Sequence, residues 1–309
     1  MNKGSITLTY NAQDNFDGTG AQVQRILGIF AICRKFGFNY HHTPILNLVT
    51  HPLDSFQNSS DLKSYLEKVN RYFDLPSNAT IPFDKEIKIT KFTKFSITKF
   101  NLLRNFSKKR NLLIKVSDPS AIIEENPDIL KFAVSSLKDL AVAGTKKEIS
   151  IVLHIRRDVH RDFVITGESL PRSLPIDYYK EKLRDIIDSL DGSSTYRISI
   201  FTDIPKRPFL FTPQSRDFEL WRSAGHEFVD GKIHVDALDL EKEFIDFGPN
   251  LEIYCGGDPL HAIIMMSASD YFVMSRSSLS YLVGILNQNG EIIYPPKFWA
   301  APLSNWKIG

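Results

Sequence analysis

Apolar residues along this chain fall into short dense runs that alternate with longer, more widely spaced ones. Ile6-Thr7-Leu8-Thr9-Tyr10 reads as a first strand. A polar loop follows, with Asp14, Asn15, Asp17, Gly18 and Gly20. Ala21–Phe36 is then apolar with few breakers and stops at Gly37, which predicts a helix with a glycine end. Residues 38–41 read as a short strand. Ser59/Ser60-Asp61 caps a predicted helix through about Phe73, with Leu62, Tyr65, Leu66 and Val69 as its apolar stripe. Residues 112–116 are predicted as a strand, and 127–143 as a helix with Pro127 at its start.

Gly144-Thr145-Lys146-Lys147 is a polar break and the expected domain boundary, giving domains 1–146 and 147–309. Beyond it the alternation restarts. Strands are predicted at 149–155, 196–202, 250–254, 270–274 and 291–294. Helices are predicted at 177–190, 237–246, 258–268 and 278–288, with a strand or turn at 226–235. Strands alternating with helices predict an α/β chain with parallel sheets. No internal repeat of a solenoid kind is visible.

Residues 84–115 interrupt this rhythm. Lys88, Thr90, Phe92, Lys94 and Ser96 alternate with residues of different polarity, which suggests extended backbone. Ten cations, Lys85, Lys88, Lys91, Lys94, Lys99, Arg104, Lys108, Lys109, Arg110 and Lys115, stand against only Asp84 and Glu86. One reading is a solvated basic face; the other is a cationic wall facing an anionic ligand.

Composition narrows the class. A chain of 309 residues suits two domains of ordinary size. Apolar content of 42% and charged content of 24% form a soluble, globular profile. A net charge of +2 does not argue for nucleic acid. No run of apolar residues is long enough for a membrane span. The start, Met1-Asn2-Lys3-Gly4, lacks the apolar core of a signal peptide. Cys33 and Cys255 are far apart in apolar surroundings, so neither a disulfide framework nor a zinc cluster is expected. A reducing, cytoplasmic setting fits this usage.

Candidate chemistry sits where predicted strands end. His154-Ile155-Arg156-Arg157-Asp158 follows an apolar run, so the strand delivers cations to the edge of a sheet, where open α/β sheets bind ligands. Guanidinium forks match phosphate oxygens two at a time, and a histidine two residues earlier can meet a base. Ile200-Phe201-Thr202-Asp203 ends a second strand, and Asp203 either reads a ligand or caps the next turn. Met274-Ser275-Arg276-Ser277-Ser278 ends a third and opens a helix, with Ser277 or Ser278 as N-cap. Such a start binds phosphate well. Asp17-Gly18-Thr19-Gly20 lies between a strand and a helix. It is either a binding loop or a tight turn, and position 23 is Val where a dinucleotide fingerprint would carry its third glycine.

In their order and spacing these segments resemble the α1,2- and α1,6-fucosyltransferases and their protein O-fucosyltransferase relatives. The first loop, ending in Gln22, resembles that family's N-terminal motif, and His154-Ile155-Arg156-Arg157 its His-x-Arg-Arg motif. Arg172-Ser173-Leu174-Pro175-Ile176-Asp177-Tyr178-Tyr179, Phe201-Thr202-Asp203, Met274–Tyr281 and Tyr294–Trp299 resemble the segments that follow in turn. Residues 40–148 match poorly.

The resemblance implies a GT-B fold, two Rossmann-like domains facing across a cleft, with the acceptor on the N-terminal side and the donor on the C-terminal side. It implies an inverting, metal-independent transfer of fucose from GDP-fucose to a glycan hydroxyl, with no cofactor. Carried over, His154 contacts guanine, Arg156 the β-phosphate, and Ser277 and Ser278 the diphosphate. Arg157 and Arg276 belong to the same donor-binding set. Gly18 and Gly20 close over the donor, and Asp203 lies near the nucleotide or sugar. The family's Gly after the two arginines is absent here, which leaves the role of Asp158 open.

No Asp-x-Asp metal motif occurs in the chain. The charge that develops on the leaving phosphate is then met by Arg156, Arg157 and the helix start at Ser277 and Ser278. Asp17 is the first candidate for the base that takes the acceptor proton, and Asp158 the second. A different nucleotide sugar, a non-catalytic nucleotide-sugar or glycan-binding module, and a nucleic-acid binder using the basic segment are the alternatives.

Overall fold

The computed structural model describes residues 5–15, 17–48, 59–79, 82–106, 110–137, 148–156, 163–165, 168–170, 173–204, 209–211, 228–235 and 238–309. The expected boundary at 144–147 lies outside them. The chain is of the α/β class and divides into two compact units.

The first unit is built on a four-stranded parallel sheet. Its strands are β1 (Ile6–Tyr10), β2 (Asn39–Tyr40), β3 (Lys85–Lys91) and β4 (Leu112–Asp118), in the spatial order β2-β1-β4-β3. Every residue of β1 is buried, as a central strand covered on both faces requires. Helix α1 (Thr19–Phe36) is apolar almost all round, and its Val23, Ile26, Leu27, Ile29 and Phe30 are buried. It ends as expected at Gly37, whose φ of 71° is left-handed and whose N–H reaches the Cys33 carbonyl. In α2 (Ser59–Tyr72), Leu62, Tyr65 and Val69 form the buried stripe.

The basic segment is extended only as far as Lys91. Helix α3 (Lys94–Phe106) begins directly afterwards. Thr93 and Ser96 exchange hydrogen bonds across its first turn, Thr93 N–H to Ser96 Oγ at 3.2 Å and Ser96 N–H to Thr93 Oγ1 at 3.4 Å. That reciprocal cap outweighs the strand-like alternation. Phe92 and Phe100 are core residues that stack at 6.0 Å, while Phe95 faces solvent. Lys88, Lys94 and Lys115 pair with Asp14, Glu125 and Glu86. These three cations belong to a solvated, paired face.

Of the helix expected over 127–143, residues 138–143 lie outside the described residues, and the remainder is a 3-10 turn followed by a short helix. Helix α4 (Ser120–Glu125) precedes it, a short 3-10 turn covers Pro127–Ile129, and α5 spans Leu130–Val134. Pro127 cannot donate into a continuous helix and disfavours helical backbone at Asn126, so the chain breaks between α4 and the 3-10 turn. This unit also includes Ala300–Ser304, where Ser304 donates from N and Oγ to Asp128 Oδ1 at 3.2 and 3.0 Å.

The second unit carries a six-stranded parallel sheet. Strand β5 is Ile149–Ile155. After a small antiparallel pair, β6 (Phe163–Ile165) and β7 (Glu168–Leu170), comes helix α6 (Ile176–Ser189) and then β8 (Tyr196–Thr202). A three-stranded antiparallel group follows: β9 (Phe209–Phe211), β10 (Phe228–Val229) and β11 (Lys232–Val235). Asp230 and Gly231 both have positive φ at the β10–β11 turn. The expected helix at 237–246 shrinks to α7 (Leu240–Glu243) and a 3-10 turn. Then come β12 (Leu251–Cys255), α8 (Pro259–Ser267), β13 (Tyr271–Val273), α9 (Ser278–Leu286), β14 (Glu291–Tyr294) and β15 (Lys307–Ile308).

The spatial order is β12-β8-β5-β13-β14-β15. From β5 the chain winds outward through β8 to β12, then returns to β13 on the other side of β5. The switch point therefore lies between β5 and β13, the position at which open α/β sheets leave a crevice for ligands beyond the strand ends. The core beneath it packs Ile151, Leu153, Ile198, Ile200 and Val273 with Tyr179, Leu183 and Ile186 of α6. Those three recur at helical spacing, and each buried side chain contributes roughly 1.5–3 kcal/mol.

Candidate functional site

The residues at the ends of β5, β8 and β13 converge because the strands pair in parallel. His154 stands opposite Phe201 and Ile155 opposite Thr202, so the next pair in register is Arg156 and Asp203. Arg156 Nε lies 3.6 Å from Asp203 Oδ2, an ion pair too long for a hydrogen bond, and Nε has no hydrogen-bond partner among the described residues. On the other side Arg156 Nη1 donates to Ser277 Oγ at 3.1 Å.

Ser277 is the N-cap of α9. Its backbone is extended, and its Oγ also accepts the Leu279 N–H at 3.2 Å. One serine oxygen thus ties the end of β5 to the start of α9. Arg276 is nearly buried, and its Nε donates to the Pro296 carbonyl at 3.0 Å, toward the tail. Ser278 opens the helix.

His154 is 6% exposed. Its Nδ1 lies 2.5 Å from Ser280 Oγ and 3.3 Å from Ser275 Oγ. The two serine oxygens lie 2.9 Å apart, and Ser280 Oγ accepts the Ser275 N–H at 3.1 Å. Burial, aided by the nearby Arg156 charge, lowers the His154 pKa to about 3, so the ring is neutral at physiological pH. Beneath the site Tyr178 and Tyr179 meet edge to face at 5.3 Å. Burial pushes the Tyr179 hydroxyl well above its ordinary range.

The second unit therefore brings together His154, Arg156, Asp203, Ser277 and Ser278. Arg157, Asp158 and Arg172 lie outside the described residues. Ser275 and Ser280 were not singled out individually from the sequence. Their signal was the density of serines at 275–280, with Ser280 one helical turn after the cap.

In the first unit, Asp17 Oδ1 accepts the Gly18 N–H at 2.9 Å, and Asp17 Oδ2 lies 2.9 Å from Arg25 Nη2. Gln22 Nε2 donates to the Asp17 and Asn47 carbonyls at 2.7 and 2.6 Å, and Tyr10 Oη donates to Gln22 Oε1 at 2.9 Å. The loop is held by its own side chains. Gly18 is the N-cap of α1 with an ordinary φ of −68°, and a Cβ there would meet nothing within 4 Å. The loop's fold does not require glycine at 18. Gly20 is buried in the first turn of the helix.

Among the described residues no group of three or more His, Cys, Asp or Glu side chains could hold a metal ion. Among them, too, no helix is long and apolar enough to cross a membrane.

No family model matches the chain, and no curated protein matches it. Solved structures with similar chain paths include POFUT1 in complex with GDP-fucose, at 11% identity and a TM-score of 0.44, covering 94% of this chain and 97% of that one. The E. coli heptosyltransferase WaaC with ADP is similar at 8% identity and a TM-score of 0.37, covering 95% and 88%. E. coli ADP-heptose lps heptosyltransferase II is similar at 9% identity and a TM-score of 0.36, covering 99% and 90%.

Proposed function

We propose that the second unit binds the diphosphate of a nucleotide sugar, and that the chain is a metal-independent, inverting GT-B glycosyltransferase. It transfers fucose from GDP-fucose to a glycan hydroxyl. The observation that supports this best is Arg156, held at a topological switch point between Asp203 and the capped start of α9.

Displacing a nucleotide from an anomeric carbon leaves negative charge on the β-phosphate. A preorganised guanidinium and a helix N-terminus stabilise that charge without moving when it develops. Arg156 is oriented in advance by Asp203 and Ser277, so little reorganisation is needed. His154 meets the base, Ser277 and Ser278 border the diphosphate, and Arg157 and Arg276 complete the donor-binding set. Gly18 and Gly20 approach the donor, and Asp17 takes the acceptor proton. Asp17 already holds Arg25 and the Gly18 N–H, so acting as a base requires it to exchange one of these partners.

The test is to incubate the purified protein with GDP-fucose, other GDP-sugars, UDP-sugars and dTDP-sugars in EDTA, and to follow nucleoside diphosphate release and transfer to a glycan array. Release of GDP from GDP-fucose that is lost in Arg156→Ala supports the reading. Absence of turnover with every donor, with Arg156→Ala indistinguishable from wild type, overturns it.

A further inference from the structure

The cluster of His154, Ser275 and Ser280 has a fixed number of protons to place. Ser275 and Ser280 have no measurable exposure, and their hydroxyls find partners only in each other, the His154 ring and the Ser275 N–H among the described residues. Each hydroxyl carries one proton that needs an acceptor. Between the two serines only one of those protons can be used, since one oxygen donates and the other accepts. The second proton must go to His154 Nδ1. Either serine can supply it, Ser280 at 2.5 Å or Ser275 at 3.3 Å, and in both cases Nδ1 is the acceptor. If Nδ1 carried a proton, one serine hydroxyl would be buried with no acceptor at all, a costly arrangement.

We infer that Ser280 and Ser275 are positioning residues that lock His154 in the Nε2–H tautomer, so that the ring presents a hydrogen-bond donor. The Nε2 atom has no hydrogen-bond partner among the described residues. The group it takes must therefore offer a lone pair, such as a keto oxygen or an unprotonated ring nitrogen of a base; an amino group does not fit. Burial keeps the ring uncharged, so the donor is a neutral N–H. This consequence for a ligand rests on the nucleotide reading above, but the tautomer itself does not.

Long-range 1H–15N correlation spectra of histidine-labelled, ligand-free protein test the assignment directly. The cross-peaks of His154 are identified by their loss in His154→Gln. The expected pattern is a pyridine-like Nδ1 and a pyrrole-like Nε2. Ser280→Ala alone leaves Ser275 to donate to Nδ1, so the double variant Ser275→Ala/Ser280→Ala should turn the pattern into a mixture of tautomers, and Ser280→Thr should keep it. A pyrrole-like Nδ1 in the wild type, or a pattern that the double variant Ser275→Ala/Ser280→Ala leaves unchanged, overturns the inference.

Nucleotide affinity, measured separately, distinguishes this result from the functional reading. With GDP as the probe, an even mixture of tautomers in Ser275→Ala/Ser280→Ala should weaken binding about twofold, and Ser280→Thr should bind like the wild type. If the wild type shows the predicted tautomer but binds no nucleotide, the functional reading fails and the tautomer assignment stands.

Discussion

Arg156 Nη1 donates to Ser277 Oγ at 3.1 Å, and so joins the end of a central strand to the first turn of a helix more than a hundred residues later. The same oxygen caps that helix. The guanidinium and the helix start are thereby fixed relative to one another before any ligand arrives, which is the preorganisation that stabilisation of a leaving phosphate needs.

Replacing Arg156 by Ala removes the charged donor at the switch point. Affinity for a nucleoside diphosphate should fall about 10–100-fold, as expected for charged hydrogen bonds worth roughly 1.5–3 kcal/mol. Arg156→Lys keeps the charge but loses the fork and should recover only part of the affinity. Calorimetric titration measures both, and thermal melting confirms that both variants fold.

Ser277 has two roles carried by one oxygen, so substitution removes or keeps both together. Ser277→Ala loses the cap and the acceptor for Arg156, and should cost about 1 kcal/mol of stability together with a weaker diphosphate site. Ser277→Thr retains the oxygen and should leave melting and binding near wild type. A melting curve and a GDP titration on each variant decide the matter.

Close packing at Gly284 contrasts with open space at Gly18. A Cβ at Gly284 would lie 2.9 and 3.0 Å from Trp306 Cζ2 and Cη2, and 3.4 Å from Met274 Sδ. A rigid ring cannot yield cheaply, so Gly284→Ala should destabilise the protein by about 1–3 kcal/mol despite better helix propensity. Gly18→Ala meets no obstacle and should shift stability by at most about 1 kcal/mol. If Gly18 lies under a bound donor, that variant loses affinity while keeping its melting temperature.

Stability should fall in mild acid through His154. Its folded pKa, about 3, lies below the ordinary 6.5, so the unfolded chain takes up the proton first as pH falls. The contribution is complete above about pH 6.5 and is lost progressively between about pH 6.5 and 3, amounting to about 2 kcal/mol between pH 7.5 and 5. His42, also depressed by burial, acts in the same direction. Urea denaturation at both pH values should show this loss in the wild type and a smaller one in His154→Gln.

Some of this architecture was legible in the chain, because dense apolar runs bounded by polar residues leave little choice. The strand predicted at 149–155 spans Ile149–Ile155, and that at 196–202 spans Tyr196–Thr202. Gly37 ends its helix as predicted because a left-handed residue was needed there. Local caps were harder to see. Thr93 and Ser96 start a helix inside an alternating stretch, and the helix predicted from Pro127 opens as a 3-10 turn.

The strand-end residues were visible as candidates, but their grouping was not. That Arg156 stands beside Asp203 depends on the register of β5 and β8, which no local pattern encodes. The serines beside His154 lie more than 120 residues away in sequence, and only the order of β5 and β13 brings them together.

The most direct test of a diphosphate site at Arg156 is titration calorimetry of the wild type and Arg156→Ala with GDP, UDP and dTDP in EDTA. GDP is expected to bind the wild type without metal and more tightly than UDP or dTDP, and Arg156→Ala is expected to lose this binding. Binding of none of the three, or GDP affinity unchanged in Arg156→Ala, would contradict a diphosphate site there.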